Sequence, residues 1–356
     1  METFKDFENI HAMLRETVGR RGGYPAYRWL TGDGQPQEVT WKEFYAEVRK
    51  VAKALMAIGV QKGDKVAIVS YSCYRWVLTD LAATSIGAVT VGIYQTLPAK
   101  DCCFIIHHSD AVLVFAEDRN QFDKLLEIRN EISAVRRVVL FSGENPDNDW
   151  ALDFEEFTDQ GGDVPDRAFA EMTAAVAAED VAAIVYTSGT TGVPKGAMLT
   201  HDNMTFTAQS VEKSVVWYPD DHLFLFLPLA HVFARTCVYT ALLCGCTLTF
   251  NRSMDLLAED LKTARPDWFP SVPRVYEKVQ AKIMNTAEAK GGLALKFFNW
   301  ALAVGYRVSD LQLAHRSIPP LVSLQYKLAN QLIFKKIQAA LGGRVRWCIS
   351  GAAPLN

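Results

Sequence analysis

The feature that most constrains this chain is an alternation, from Thr40 onward, of short apolar runs with amphipathic segments. Thr40-Trp-Lys-Glu43 has the capping-box pattern, in which a hydroxyl and a carboxylate satisfy the first amides of a helix. Phe44, Val48, Val51 and Leu55 then share one face, and Gly59 offers a C-terminal stop. Residues 65–70 read as a buried strand. Helices over 74–86, 99–108 and 119–133 follow, separated by strands over 88–94, 111–116 and 137–141. Apolar strands spaced by helices predict a parallel sheet covered on both faces.

Residues 142–166, rich in Gly, Pro, Asn and Asp, interrupt this pattern and mark a candidate boundary. A second α/β round follows, with strands over 181–187, 222–227 and 246–251, helices over 201–215 and 234–243, and a last strand over 345–350. Between them runs a long helical stretch, 293–341, broken at Pro319-Pro320, in which Phe297, Phe298, Trp300 and Leu302 make one apolar cluster. It reads first as a core-packing helical hairpin, with a membrane-docking surface as the alternative. The expected fold class is α/β, as two stacked subdomains over 1–180 and 181–356, their mostly parallel sheets flanked by helices.

A chain of 356 residues that is 49% hydrophobic and 22% charged excludes global disorder. Its formal net charge of −3 gives no reason to expect nucleic acid or an anionic surface as the default partner. Seven cysteines without a CxxC pair show neither a disulfide framework nor a zinc site, which favours the reducing cytoplasm. The charged first ten residues argue against a secretory signal. The longest uncharged apolar run, 236–250, falls short of the ~18 residues that span a bilayer.

Tyr186-Thr-Ser-Gly-Thr-Thr-Gly-Val-Pro-Lys-Gly196 carries the clearest chemistry. Glycines allow backbone amides to converge on an anion, hydroxyls donate further hydrogen bonds, and Lys195 supplies a full positive charge. No carboxylate lies between Thr187 and His201 to repel a polyphosphate. It is not a Walker loop, since Pro194 precedes the lysine and Gly196 follows it, and the GxGxxG dinucleotide spacing is missing. On composition alone a plain Gly/Thr-rich hairpin turn stays open. His231, in the apolar run 223–234, reads on its own first as a satisfied core histidine.

Tyr186 to Gly196 resembles the phosphate-binding signature of the adenylate-forming (AMP-binding) superfamily. Lys62-Gly-Asp-Lys-Val66, Leu227-Pro-Leu-Ala-His231, Val272-Pro-Arg-Val-Tyr-Glu277 and Ile349-Ser-Gly-Ala-Ala-Pro-Leu355 agree in the right order. Tyr94 to Pro98, Leu227 to Arg235 and the helices leading into Leu341-Gly-Gly-Arg344 resemble the long-chain fatty acid–CoA ligase branch, over the N-terminal portion of such enzymes.

The resemblance implies ATP-dependent activation of a fatty acid to an acyl-adenylate, then thioester formation with coenzyme A. It implies Thr187, Ser188, Gly189, Thr190, Thr191, Gly192 and Lys195 around the phosphates, with Thr187 near a Mg2+ ion that arrives with the ATP. It implies His231 as a positioning donor beside the adenylate, making His231 and Lys195 the expected catalytic pair. Val232, Phe233, Arg235 and Tyr239 are expected, with Leu242 and Leu243, at the acyl tail; core packing explains the same residues. Arg235 stands where some relatives carry an aromatic gate and is expected to meet a carboxylate or phosphate. Gly351, Ala352, Ala353 and Pro354 are expected beside adenine and the inner acyl pocket. No carboxylate occurs between Asp221 and Asp255, where amino-acid-activating relatives pair the substrate's ammonium, which favours an uncharged tail.

The family's later motifs, barrel-completing part and C-terminal lid domain lie beyond Asn356, so the resemblance also implies a fragment impaired in both half-reactions. The alternatives are an aryl or medium-chain ligase, or a non-catalytic nucleotide- or acyl-binding protein. The expected partners are the small-molecule substrates, with peripheral contact at the inner membrane face as a further possibility. Cys102-Cys103 and His107-His108 read as parts of a helix face.

Overall fold

Before the capping box, the chain folds back on itself as two antiparallel strands, β1 (Pro25–Leu30) and β2 (Pro36–Thr40). The computed structural model describes residues 4–143, 149–187 and 192–354. Thr40 and Glu43 exchange both capping hydrogen bonds at the start of helix Trp41–Ala57, as the sequence predicts, and Gly59 takes φ +83 beyond its end. The expected strands follow as β3 (Lys65–Val69), β4 (Val89–Ile93), β5 (Ala111–Ala116) and β6 (Arg137–Leu140). They are joined by helices Tyr74–Ser85, Ala99–His108 and Arg119–Glu127. The last helix stops six residues short of the expected 133. Ile128 caps it, and the chain then turns so that Ile128, Ile132 and Val135 reach the core under the sheet.

The stretch 142–166 does not leave the sheet. β7 (Ala151–Asp153) pairs with β6, and Asp153 starts a second capping box with Glu156; residues 144–148 lie outside the described residues. β8 (Val181–Thr187) pairs parallel to β4, and β9 (Lys195–Thr200) closes an antiparallel hairpin on it. The sheet runs in the order β7-β6-β5-β3-β4-β8-β9. The compact units are therefore Met1–Arg252 and Ser253–Asn356, a division that differs from the 180/181 break drawn from composition.

Within the first unit, β10 (His222–Leu225) and β11 (Thr247–Phe250) join β1 and β2 in a further sheet, with β10 parallel to β11 and β11 parallel to β1. Every residue of helix Tyr74–Ser85 except Arg75 is buried, because this helix packs against β4 and β1, one strand from each sheet. Its buried hydroxyls turn back on the helix itself, Thr84 donating to the Asp80 carbonyl at 2.8 Å and Ser85 to the Leu81 carbonyl at 2.6 Å.

The second unit holds the parallel pair β12 (Trp268–Ser271) and β13 (Trp347–Ser350), with Trp268 and Trp347 stacked at 4.6 Å. Between them come helices Pro273–Lys290, Gly292–Leu313 and Pro320–Ala329, then a π-helical turn, Asn330–Phe334, running into helix Lys335–Ala340. The expected apolar cluster is split. Phe298 is buried with Ala301, Val304 and Val308 on one stripe, while the neighbouring Phe297 faces outward. Among the described residues, no helix is long and apolar enough to cross a membrane.

Candidate functional site

In a parallel sheet all strands end on the same edge, and loops there are the usual place for a ligand. β3, β4 and β8 are consecutive neighbours, so the chain leaving Val69, Ile93 and Thr187 emerges within about two strand spacings, roughly 10 Å. The segment leaving β8 is the Gly/Thr-rich loop. Ser188, Gly189, Thr190 and Thr191 lie outside the described residues.

The described ends of that loop are well defined. Thr187 and Lys195 are register partners across the hairpin, and both are exposed. Lys195 has no ion-pair partner among the described residues. Gly192 takes φ +84, a left-handed conformation that glycine adopts without strain. Val193 is 56% exposed and Met198 is 67% exposed, so β9 stands out from the molecule rather than folding against the interior.

Gly196 serves a purpose different from the expected close approach of backbone to phosphate. A Cβ there would lie 2.7 Å from Ile184 Cγ2 and 3.3 Å from the Tyr186 ring. The glycine leaves room for Tyr186 to lie across the hairpin, where its hydroxyl is 2.7 Å from His108 Nδ1. Burial raises the Tyr186 hydroxyl above its ordinary value, so it is a neutral phenol at physiological pH. His108, which the sequence reads only as helix face, is thus a brace for the first residue of the loop signature.

The segment 227–231 is fixed from two sides. Ser72, in the turn after β3, donates to the Leu227 carbonyl at 2.7 Å and accepts from the Leu229 amide at 2.8 Å. On β4, Gly92 admits the backbone of Ala230, since a Cβ at that position would sit 2.8 Å from Ala230 Cα. Gly92 is paired with Val185 of β8, two residues before Thr187. The His231 segment and the loop after β8 therefore share the same edge of the sheet.

His231 is half-buried and caps helix Val232–Cys244, its Nδ1 accepting from the Phe233 amide at 3.1 Å. An imidazole nitrogen that accepts carries no proton, so the neutral ring presents Nε2–H as a donor. That is the tautomer a positioning donor needs. Val232 and Phe233, in the first turn, stay accessible.

Arg235 and Tyr239, one and two turns further along, are buried and committed elsewhere. Arg235 pairs with Asp80, donates to Thr90 Oγ1 at 2.8 Å and lies over the Trp76 ring at 5.2 Å. Tyr239 donates to the other Asp80 oxygen at 2.6 Å, and Thr90 donates to the first at 2.6 Å. Burial works against the arginine's charge, but Asp80 and Tyr239 outweigh it and hold the guanidinium above its ordinary value. Burial first and Asp80 second push the Tyr239 hydroxyl far up. Arg235 therefore meets a carboxylate of the protein itself. The segment 222–254 lacks acids, yet the fold supplies Asp80 to it, already neutralised and fully hydrogen-bonded.

In the second unit, Gly351 donates to the Ser271 carbonyl at 3.1 Å, and Tyr276 of the matched 272–277 segment donates to the Ile349 carbonyl at 2.9 Å. Ala352 takes φ +69, a left-handed conformation that costs a non-glycine residue energy, and Ala352, Ala353 and Pro354 are exposed. No group of three His, Cys, Asp or Glu suited to a metal occurs among the described residues. One exposed hydroxyl, Thr187, fits a hard cation that keeps its water and phosphate oxygens, rather than one caged by protein.

Sequence reasoning missed Ser72, Gly92, Asp80 and His108. Each acts on a residue between 78 and 157 positions away, or, for Gly92, across a strand contact to Ala230. Local spacing holds no trace of such pairs.

The family described as AMP-binding enzyme matches residues 14–356. Over 98% of its length the chain is 31% identical to the long-chain-fatty-acid–CoA ligase ACSBG2 of Xenopus laevis, covering 48% of that protein. Over 99% it is 34% identical to the long-chain-fatty-acid–CoA ligase FadD15 of Mycobacterium bovis, covering 58% of it. The chain thus spans about half the length of the curated relatives it matches. Among solved structures, the inhibitor-bound N-terminal domain of FACL13 from Mycobacterium tuberculosis has a TM-score of 0.68 at 22% identity, over 98% of this chain and 71% of that one. The A-PCP didomain of a carboxylic acid reductase from Segniliparus rugosus, in complex with AMP, has a TM-score of 0.71 at 18% identity, over 99% and 50%. The α/β fold is that of acyl-CoA synthetase N-terminal domains, and the chain belongs to the family of AMP-binding enzymes.

Proposed function

We propose that this chain carries the nucleotide- and acid-handling residues of an ATP-dependent, AMP-forming long-chain fatty acid–CoA ligase. The observation that carries the reading is the β8–β9 hairpin. It presents Thr187 and Lys195, which has no ion-pair partner among the described residues, at the two ends of a hydroxyl- and glycine-rich loop, on the sheet edge that also holds the His231 segment. In the proposed reaction a fatty acid carboxylate oxygen attacks the α-phosphorus of ATP and pyrophosphate leaves. The thiol of coenzyme A then attacks the acyl carbon of the adenylate, loses its proton, and AMP leaves.

Both partners in the first step are anions, so donors aimed at the phosphates lower the barrier by electrostatic preorganisation. Lys195 is assigned to the developing charge on pyrophosphate, and Ser188, Thr190, Thr191 and Gly192 to the β and γ oxygens. His231 is assigned as the Nε2–H donor to an oxygen of the carboxylate and then of the adenylate. A magnesium ion bound with the nucleotide would supply further charge, with Thr187 as its nearest protein hydroxyl. Val232 and Phe233 are assigned to the start of the acyl tail, while Arg235 and Tyr239 hold their helix in place. The seven free thiols suit a reducing, cytoplasmic setting.

The test is ATP–pyrophosphate exchange, measured on the protein as its gene encodes it, with acids from acetate to oleate and with benzoate. Long-chain acids are expected to support exchange. Preference for benzoate or short acids would replace the substrate class, and nucleotide binding without exchange would favour a non-catalytic role. Lys195→Ala should cost about 1.5–3 kcal/mol of transition-state stabilisation, the worth of a charge-assisted hydrogen bond. Exchange unaffected by that substitution would remove the lysine from the mechanism.

A further inference from the structure

Helix Val232–Cys244 begins at His231, and at its other end the first unit holds an open cavity of about 470 Å3, a size within the range of small-molecule sites. Thirteen residues at 1.5 Å each put roughly 20 Å of helix between the two. The cavity walls come from the N-terminal segment, helix Ile10–Arg21, helix His201–Ser214 with the turn after it, and the last turn of Val232–Cys244. Contacts within the protein already hold these walls. Gln209 accepts from the Lys5 amide at 2.7 Å and donates to the Lys5 carbonyl at 3.0 Å, and Trp217 Nε1 donates to the Val211 carbonyl at 3.3 Å.

The charges lining the cavity divide into those the protein answers and those it does not. Lys5 pairs with Glu16, and Lys213 Nζ lies 4.0 Å from the centre of the Phe4 ring. Arg20 gives one guanidinium nitrogen to the Leu243 carbonyl at 2.5 Å, which caps the end of the helix. Beyond that bond, neither Arg20 nor Glu212 has an ion-pair partner among the described residues, and they do not pair with each other. One cation and one anion are left over in a single cavity. A simple anion would answer Arg20 and meet Glu212 as a like charge, and a simple cation would do the reverse. A molecule bearing both a carboxylate and an ammonium answers both. The rest of the lining includes Trp217, Pro219 and Leu243, which suit an apolar or aromatic group.

We propose that this cavity binds an amino acid zwitterion with an apolar side chain. Its carboxylate meets Arg20, its ammonium meets Glu212, and its side chain lies against Trp217 and Leu243. This ligand is not the acid being activated, because the cavity lies a helix length from His231. The inference does not rest on the ligase reading, since binding is measured without ATP or coenzyme A.

The experiment is equilibrium dialysis of radiolabelled L-phenylalanine and L-leucine against the full protein at 0.05 M salt. Saturable binding at one site is expected. Phenylalanine amide, which lacks the anion, and N-acetylphenylalanine, which lacks the cation, should displace labelled phenylalanine at least about tenfold less well than phenylalanine itself, the loss expected for one charge-assisted contact. Glu212→Gln and Arg20→Gln should each weaken binding by a similar factor. Glu212→Gln should leave the thermal midpoint unchanged, because its carboxylate has no partner to lose. ATP–pyrophosphate exchange should also be unchanged in Glu212→Gln, which separates this site from the catalytic edge. Failure of both amino acids to bind, equal displacement by the two half-charged analogues, or wild-type affinity in the two variants would overturn the proposal.

Discussion

Asp80 and Arg235 are 155 positions apart in the chain and meet in the core with Thr90 and Tyr239. A buried ion pair gives little net stability over an apolar pair of the same shape, but losing one partner strands the other charge. Arg235→Met should therefore destabilise the first unit by about 3–5 kcal/mol, and adding Asp80→Leu should recover most of that loss. Urea unfolding of the two variants checks the expectation. A double variant no more stable than Arg235→Met alone would mean that the charge pair is not what holds the helix behind His231. The sequence singles out Arg235 for its place after the histidine and assigns it to substrate, since nothing near it in the chain is acidic. Its partner comes from a helix buried between two sheets, where only the fold makes the carboxylate local. Thr187 and Lys195 can be singled out from sequence for the opposite reason, because the pattern that proposes them lies in one unbroken run of residues.

Elements whose causes are local were equally legible. The capping box at Thr40 and the four strands of the first α/β round follow from neighbouring residues, whereas the equally local box at Asp153 was passed over inside the stretch 142–166. The pairing of β11 with β1 joins Leu248 to Tyr27, and no periodicity predicts it. The same holds for the contact between β4 and the His231 segment, which depends on Gly92 lacking a side chain. Gly92→Ala would force the Ala230 backbone away from β4, at a cost of about 1–3 kcal/mol in stability. A displacement near 1 Å at a positioning donor costs about a hundredfold in rate, so kcat for acid-dependent exchange should fall by about 10- to 100-fold. The KM for ATP should change little, since the phosphate loop hangs on β8. A folded Gly92→Ala protein with undiminished kcat would separate His231 from the acid-activation step.

At the scale of the whole molecule, two histidines link folding to pH. His11 is held against Ser85 at 2.9 Å, and His201 accepts from the Ile10 amide at 3.2 Å, so both tie the first helix of the chain, Ile10–Arg21, to the rest of the first unit. Burial lowers each to about 4, with Arg15 and Arg49 adding to the effect at His11 and Lys62 adding to it at His201, where Asp180 opposes. Each is neutral in the folded protein and takes up a proton near pH 6.5 when unfolded. The stability contributed by their depressed values is fully present above pH 6.5 and lost as pH falls toward 4, on the order of 3 kcal/mol for each histidine. Burial raises the carboxyls of Glu47 and Glu117, which acts in the opposite sense, so the total slope blends both. A variant isolates the histidine contribution. Between pH 7 and pH 5, the urea-unfolding free energy of wild type should fall more steeply than that of His11→Asn or His201→Asn, by about one proton's worth of slope for each. Identical slopes in wild type and both variants would mean that the two imidazoles titrate alike in the folded and unfolded chain, which the burial of His11 on that helix and of His201 against its first residue does not allow.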